Sequence, residues 1–314
     1  MPVLNPQTSG SLSTYLMTYL EKQFLTILRN NLLLARWGKK KRLAKGQGST
    51  MNWRRWTDLT DATTALAEGA SPSGSALTLN SVTGTLAQYG AFVTITDFLS
   101  MTAVNDVMTE ALDLIGYNGA STVDAVIRNV IDTASGGFTH NFADPANNTT
   151  IANVESGADE FGTAEILAAT EDLRAGNAPA FDDGLYVGVI HPFAEANLLS
   201  QSAAGTAMEF LKYTDSSPMV KGLIGSIYGV KLHRSAHIRA DATSTNTYRN
   251  LIFGKDAYGI VDIESGALQL IVHPTGSAGS EDPLNQRATV GFKVTMVAVT
   301  LEAARGRTIN AYGV

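Results

Sequence analysis

A few short groups of residues have chemistry to offer. His233 and His237 stand four apart, a spacing that on a helix would turn two imidazoles toward one zinc ion. Their surroundings read as strand then loop, and no acidic third ligand lies near, so a surface pair is the better reading. Asp182-Asp183-Gly184 starts like a calcium loop, but the alternating ligands stop there and a turn fits. Asp262 and Glu264 would share one strand face, where a solvated edge accounts for them. The sequence has no Gly-x-Ser-x-Gly elbow, no Walker loop, no dinucleotide fingerprint and no His-Glu-x-x-His. No catalytic set emerges, and nothing calls for a cofactor or a metal.

What remains is recognition chemistry. Arg36, Lys39, Lys40, Lys41 and Arg42 form a basic block, followed by Trp53-Arg54-Arg55-Trp56. Guanidinium and indole groups in this mix suit phosphate binding with base stacking. They also suit anchoring at a protein contact, where Trp and Arg are enriched. A third reading is a solvated basic face over core tryptophans. Contact between copies is favoured, because the basic residues sit on a hairpin, the remaining chain is acidic and no nucleic-acid fold signature accompanies them.

Composition agrees with an assembling protein. The chain has 314 residues with 44% hydrophobic residues, 17% charged residues and 29 glycines. That suits a β-rich, turn-rich body with much surface buried against partners. Net charge is -6, yet no acidic residue occurs between Glu21 and Asp58. There is no cysteine, which excludes disulfides and thiolate chemistry and fits a cytosolic origin. No signal peptide and no apolar run of membrane-span length is seen.

Periodicity supplies the elements. Ser11 to Ala35 reads as a helix with broad apolar faces, suited to lying in a groove or to ordinary core packing. Residues 36–97 read as a long two-stranded arm, with Met51–Trp56 as one strand and Gln88–Asp97 as the return strand. Asp97 or Ser100 would cap a helical stretch of about 35 residues, roughly 50 Å long, with a kink or break at Gly116-Tyr117-Asn118-Gly119. From 162 to 287 an α/β unit is expected. It has a helix from Thr163, a strand at Leu185–Ile190, a helix opened by Pro192, and strands at Ile227–Leu232, Asn250–Phe253, Tyr258–Ile263 and Leu268–Val272. Val290, Phe292, Val294, Met296 and Ala298 mark a final long strand that can pack along the long helix.

This order of elements resembles the Hong Kong 97-type major capsid fold of tailed phages, herpesviruses and encapsulins. Within it the sequence is similar to the major capsid proteins of N-four-like phages. The matching pieces are Ala67-Glu68-Gly69, Gln88–Asp97, Asp124-Ala125-Val126-Ile127-Arg128-Asn129 and the run Gly222–Val230. The resemblance implies an α+β fold. Residues 1–35 would be an N-terminal arm, 36–97 an extended β-hairpin loop, and 98–160 a peripheral domain with a spine helix. Residues 161–286 would be an axial domain and 287–314 the peripheral C-terminal strand.

It further implies a non-enzymatic shell protein forming pentamers and hexamers around packaged double-stranded DNA. That protein is located in the virion and assembled in the host cytoplasm; from the acidic balance of this chain, weak and non-specific DNA contacts are expected. The chain starts at the arm without the scaffolding segment some relatives carry, so a separate scaffolding protein is expected, and the resemblance further implies portal and decoration proteins as partners. The candidate inter-subunit residues are Arg36, Lys39, Lys40, Lys41, Arg42, Trp53, Arg54, Arg55 and Trp56. An encapsulin-like compartment holding protein cargo is the alternative.

Overall fold

The computed structural model describes residues 20–27, 32–57, 59–63, 65, 69, 74–103, 106–133, 136–144, 150, 154, 159–200, 225–238, 247–263, 268–277 and 282–313. The helices are α1 (20–27), α2 (Asp97–Thr102), α3 (Val107–Ile131), α4 (Thr163–Ala175) and α5 (Pro192–Ser200). The strands are β1 (Lys39–Leu43), β2 (Thr50–Trp56), β3 (Leu79–Thr85), β4 (Ala87–Thr96), β5 (Thr139–Phe142), β6 (Tyr186–Ile190), β7 (Ser226–Ile227), β8 (Val230–Arg234), β9 (Thr247–Phe253), β10 (Tyr258–Ile263), β11 (Gln269–His273), β12 (Arg287–Thr300) and β13 (Gly306–Tyr312).

Helix α3 is the strut of the first layer. The Asp106 carboxylate caps it, accepting the Met108 N–H at 3.2 Å and the Thr109 hydroxyl at 2.7 Å. Leu112, Ile115, Val123, Ile127 and Ile131 recur at steps of three, four and eight and are all buried. The expected break at Gly116–Gly119 does not occur, because both glycines lie inside one continuous helix. A Cβ on Gly116 would sit 3.2 Å from Ile27 Cγ2, so the missing side chain lets α1 cross closely. The stretch is shorter than expected, because Thr96 caps α2 and Asp106 then restarts the chain as a separate helix.

Below α3 lies a five-stranded sheet built around β12. One edge of β12 pairs antiparallel with β4 from Arg287↔Thr96 to Met296↔Ala87. Its other edge takes β11 and then β10, and β1 adds parallel to β10. Val290, Phe292, Val294, Met296 and Ala298 all bury in the core they share with α3, as the alternation indicated. The arm is organised differently from the expectation. β2 pairs with β3, whereas β4 belongs to the body. The apolar face of β4, with Tyr89, Ala91 and Ile95, packs into the α3 core and needs a body strand beside it.

A six-stranded sheet in the order β5-β13-β9-β6-β8-β7 forms the second layer. Helices α4 and α5 cover one face through Ile166, Leu173 and Leu198, which pack with Ile190, Ile252 and Ile309. Val189, Leu251 and Phe253 join the core around α3. β6 is buried at every position, as expected of a strand covered on both faces. Tyr228 and Gly229, with φ of 50° and 82°, turn β7 into β8.

The boundaries at 161 and 286 do not divide the sheets. β10 and β11 fall between them yet join the first sheet, because Tyr258 and Ile260 bury in the α3 core. Past 287, a short 3-10 turn at Ala303–Arg305 redirects the chain, and β13 crosses into the second sheet between β5 and β9.

Candidate subunit interface

The β2–β3 hairpin is seated on its own chain at one end. β2 carries Trp53 on the face toward the first sheet, and the indole is only 5% exposed. It lies over Gly259, where an added Cβ would approach Trp53 Cζ2 to 2.7 Å. Leu43 and Val261 complete a small core flanked by Met51, Val82 and Val297. Lys41 places its ammonium 4.2 Å from the centre of the indole ring, a cation–π contact.

Charge reinforces this seat. Arg55 pairs with Glu302, and Arg305 binds the other oxygen of the same carboxylate at 2.5 Å. Lys39 donates to Asp256 at 2.6 Å. Arg42 comes only within 3.9 Å of Asp262 and is largely exposed, so that pair contributes little.

A second device fixes where the chain enters β1. The buried Asp124 of α3 accepts the Leu33 N–H at 2.8 Å and the Ala35 N–H at 3.3 Å. Tyr258, fully enclosed, donates its hydroxyl to the Leu34 carbonyl at 2.6 Å. Burial raises the Asp124 carboxyl above its ordinary range, and the amides at 33, 35 and 34 offset part of that. Burial also pushes the Tyr258 phenol well up, and the charge of Asp124 adds to it.

The basic-aromatic residues therefore divide. Trp53, Arg55, Lys39 and Lys41 are engaged within their own chain, which corrects the expectation that Trp53 reaches out as an anchor. Its indole fills the space left by Gly259 and has almost no surface to offer. Arg54 and Trp56 point away, and Trp56 is 57% exposed. Lys40 and Arg42 are exposed on β1, and Arg36 is exposed at the end of the 3-10 turn before it.

Further outward apolar side chains lie beyond the basic-aromatic set. Phe92 on β4, with Phe98, Leu99 and Met101 on α2, stands in solvent, as do Leu59, Leu77 and Leu79 on the hairpin side. The available signal was phase: Phe92 alternates against Tyr89 and Ala91. A groove of about 460 Å³ runs beside Phe92, with Gly90, Ile271, His273, Gly291 and Lys293 among its walls.

The two spaced histidines are not a metal pair. His233 packs against Trp37 with ring centres 5.4 Å apart, and His237 Nε2 shares a hydrogen bond with the Tyr117 hydroxyl at 2.8 Å. Asp182–Gly184 is a turn, with Gly184 at φ of 75°. Among the described residues no His, Asp and Glu group could hold a metal ion. No helix among them is long and apolar enough to cross a membrane.

No family model matches this sequence, and no curated protein does. Solved structures do match. The chain is similar to the capsid of cyanophage Pam1 at 18% identity, over 86% of this chain and 87% of that one, with a TM-score of 0.62. It is similar to the capsid of Ralstonia phage GP4 at 14% identity, over 87% of each chain, with a TM-score of 0.61. It is also similar to the capsid of cyanophage P-SCSP1u at 16% identity, over 88% and 87%, with a TM-score of 0.60. The chain has the fold of these phage capsids, the Hong Kong 97-type fold that the order of its elements resembles.

Proposed function

We propose that this chain is a major capsid protein, many copies of which close into the icosahedral shell around the double-stranded DNA of a tailed phage. The observation that carries this reading is the fold correspondence with phage capsids, which spans most of both chains. The hairpin supports it from a separate direction. Its base is fixed by Trp53 on Gly259, while Trp56, Leu79 and Arg54 beyond that seat face outward. A two-stranded ribbon is marginal in water by itself, so its outer part is stabilised by lying on an adjacent copy.

In this reading α1 belongs to the N-terminal arm, β2–β3 is the extended loop and α3 is the spine helix. The β12 sheet is the peripheral unit, and the six-stranded sheet is the axial unit around which pentamers and hexamers gather. The narrower kinship with N-four-like phage proteins rests on the sequence motifs. The chain has a structural role and no catalytic one. Scaffolding, portal and decoration proteins act with it in the host cytoplasm before the finished virion forms. The packaged DNA is touched weakly, in keeping with the net charge of -6.

The test is to express the chain alone and with candidate scaffolding, purify what sediments, and image it by electron microscopy. Closed shells are the expected result. A chain that stays monomeric under both conditions ends this reading. Shells filled with a co-purifying enzyme instead of nucleic acid would select the encapsulin-like alternative.

A further inference from the structure

An open sheet edge invites another strand, and folded proteins usually blunt such edges with charge, proline or shortness. Most other edges here follow that rule. β1 is Lys-Lys-Lys-Arg-Leu, β7 has 2 residues, β5 has 4 and β11 has 5. β3 has 7 residues without charge or proline, but Gly84 packs it closely against Val299 of β12. β4 breaks the rule. It has 10 residues, Ala-Gln-Tyr-Gly-Ala-Phe-Val-Thr-Ile-Thr, without a charge or a proline. One edge pairs with β12, and among the described residues no strand pairs with the other. Phe92 and the α2 residues Phe98 and Met101 make its surroundings apolar, each 73% exposed.

We infer that the outer edge of β4 is an assembly contact that pairs antiparallel with β4 of a second copy, joining two sheets across a two-fold axis. This rests on the shell reading above. A second copy is the occupant because an isologous contact sets the same strand against itself in opposite directions. That arrangement tolerates no charge facing its own image, and β4 carries none. Backbone N–H and C=O groups supply the affinity, and the flanking phenylalanines exclude water from the seam.

The test uses two full-length double variants, Gln88→Lys with Thr94→Lys and Gln88→Glu with Thr94→Glu. Both positions are exposed, so melting of the free subunit stays unchanged. Each variant alone should lose sedimenting shells several-fold, and co-expression of the lysine and glutamate chains should restore them. Hydrogen exchange along β4 should be slower in shells than in free subunits. Normal shell yield from either variant alone overturns the inference. So does co-expression that restores nothing, which would point to a strand from a different protein. If the unaltered chain makes no shells, the capsid reading fails first. Rapid exchange along β4 in whatever oligomer it then forms overturns the edge pairing separately.

Discussion

Asp124 and Tyr258 hold the same backbone turn through complementary groups. The carboxylate takes the amides of Leu33 and Ala35, and the phenol gives its proton to the carbonyl of Leu34 between them. Helix α3 and the β12 sheet thus meet at the turn that leads into β1. Asp124→Ala leaves two amides without their acceptor and should cost about 1–3 kcal/mol. Asp124→Asn keeps one oxygen and should lose less. Urea denaturation of the free subunit measures both, and equal losses would show that the carboxylate is not the acceptor that matters.

Gly259 is the floor under Trp53. A Cβ there would come to 2.7 Å from the indole, so Gly259→Ala must displace the ring or the strand. A destabilisation of about 1–3 kcal/mol is expected, as for overpacking elsewhere. Tryptophan fluorescence should shift to the red as Trp53 meets water. An unshifted spectrum with native stability would mean that the hairpin base is held by other contacts.

The two hairpin tryptophans should separate folding from assembly. Trp53→Ala empties a buried site and should destabilise the free subunit by about 3–5 kcal/mol. Trp56→Ala removes an exposed ring and should leave the free subunit within about 0.5 kcal/mol of the original. It should nonetheless lower shell yield. Thermal melts and sedimentation together read this, and normal yield from Trp56→Ala would remove that residue from the contact.

Acid should weaken the body through two histidines. Burial holds His191 below its ordinary range. Burial does the same for His233, with Lys231 and Arg36 adding to it. The unfolded chain takes these protons near pH ~6.5, and the fold takes them only at lower pH. The unfolded state then binds more protons between those values, so this stability is lost as pH falls through that window. Asp124 and Glu165 are raised by burial and act oppositely, and their contribution is lost as pH rises through their folded values. His233→Phe keeps a ring against Trp37 and should flatten the decline in melting temperature below pH ~6.5. An unchanged slope would exclude His233 as a source.

What could be read from the sequence was local. Pro192 opened α5, Tyr258–Ile263 is a strand at those residues, and the alternation from Val290 to Ala298 named the buried face of β12. Partners were harder. The alternation of Gln88–Thr96 says which face is apolar but not which strand lies beside it: the hairpin pattern pairs β4 with β2, and the fold pairs it with β12. The type of Trp53 suggested an anchor, and only Gly259, distant in sequence, decides that it anchors inward. Gly116 and Gly119 looked like a break because glycine weakens a helix by about 1 kcal/mol. In the fold the helix runs through both, and at Gly116 the missing side chain makes room for Ile27.

The pairing of β1 with β10 and of β4 with β12 sets an order on synthesis. The ribosome delivers Lys39–Leu43 and Ala87–Thr96 long before their partners exist. Until Arg287–Thr300 has emerged, β4 has no inner neighbour, and until Gly259 arrives Trp53 has no floor. A nascent chain therefore lacks the finished surfaces that copies would use to join. Both strands gain their inner neighbours only from residues made much later, and the surfaces they present take shape late in synthesis.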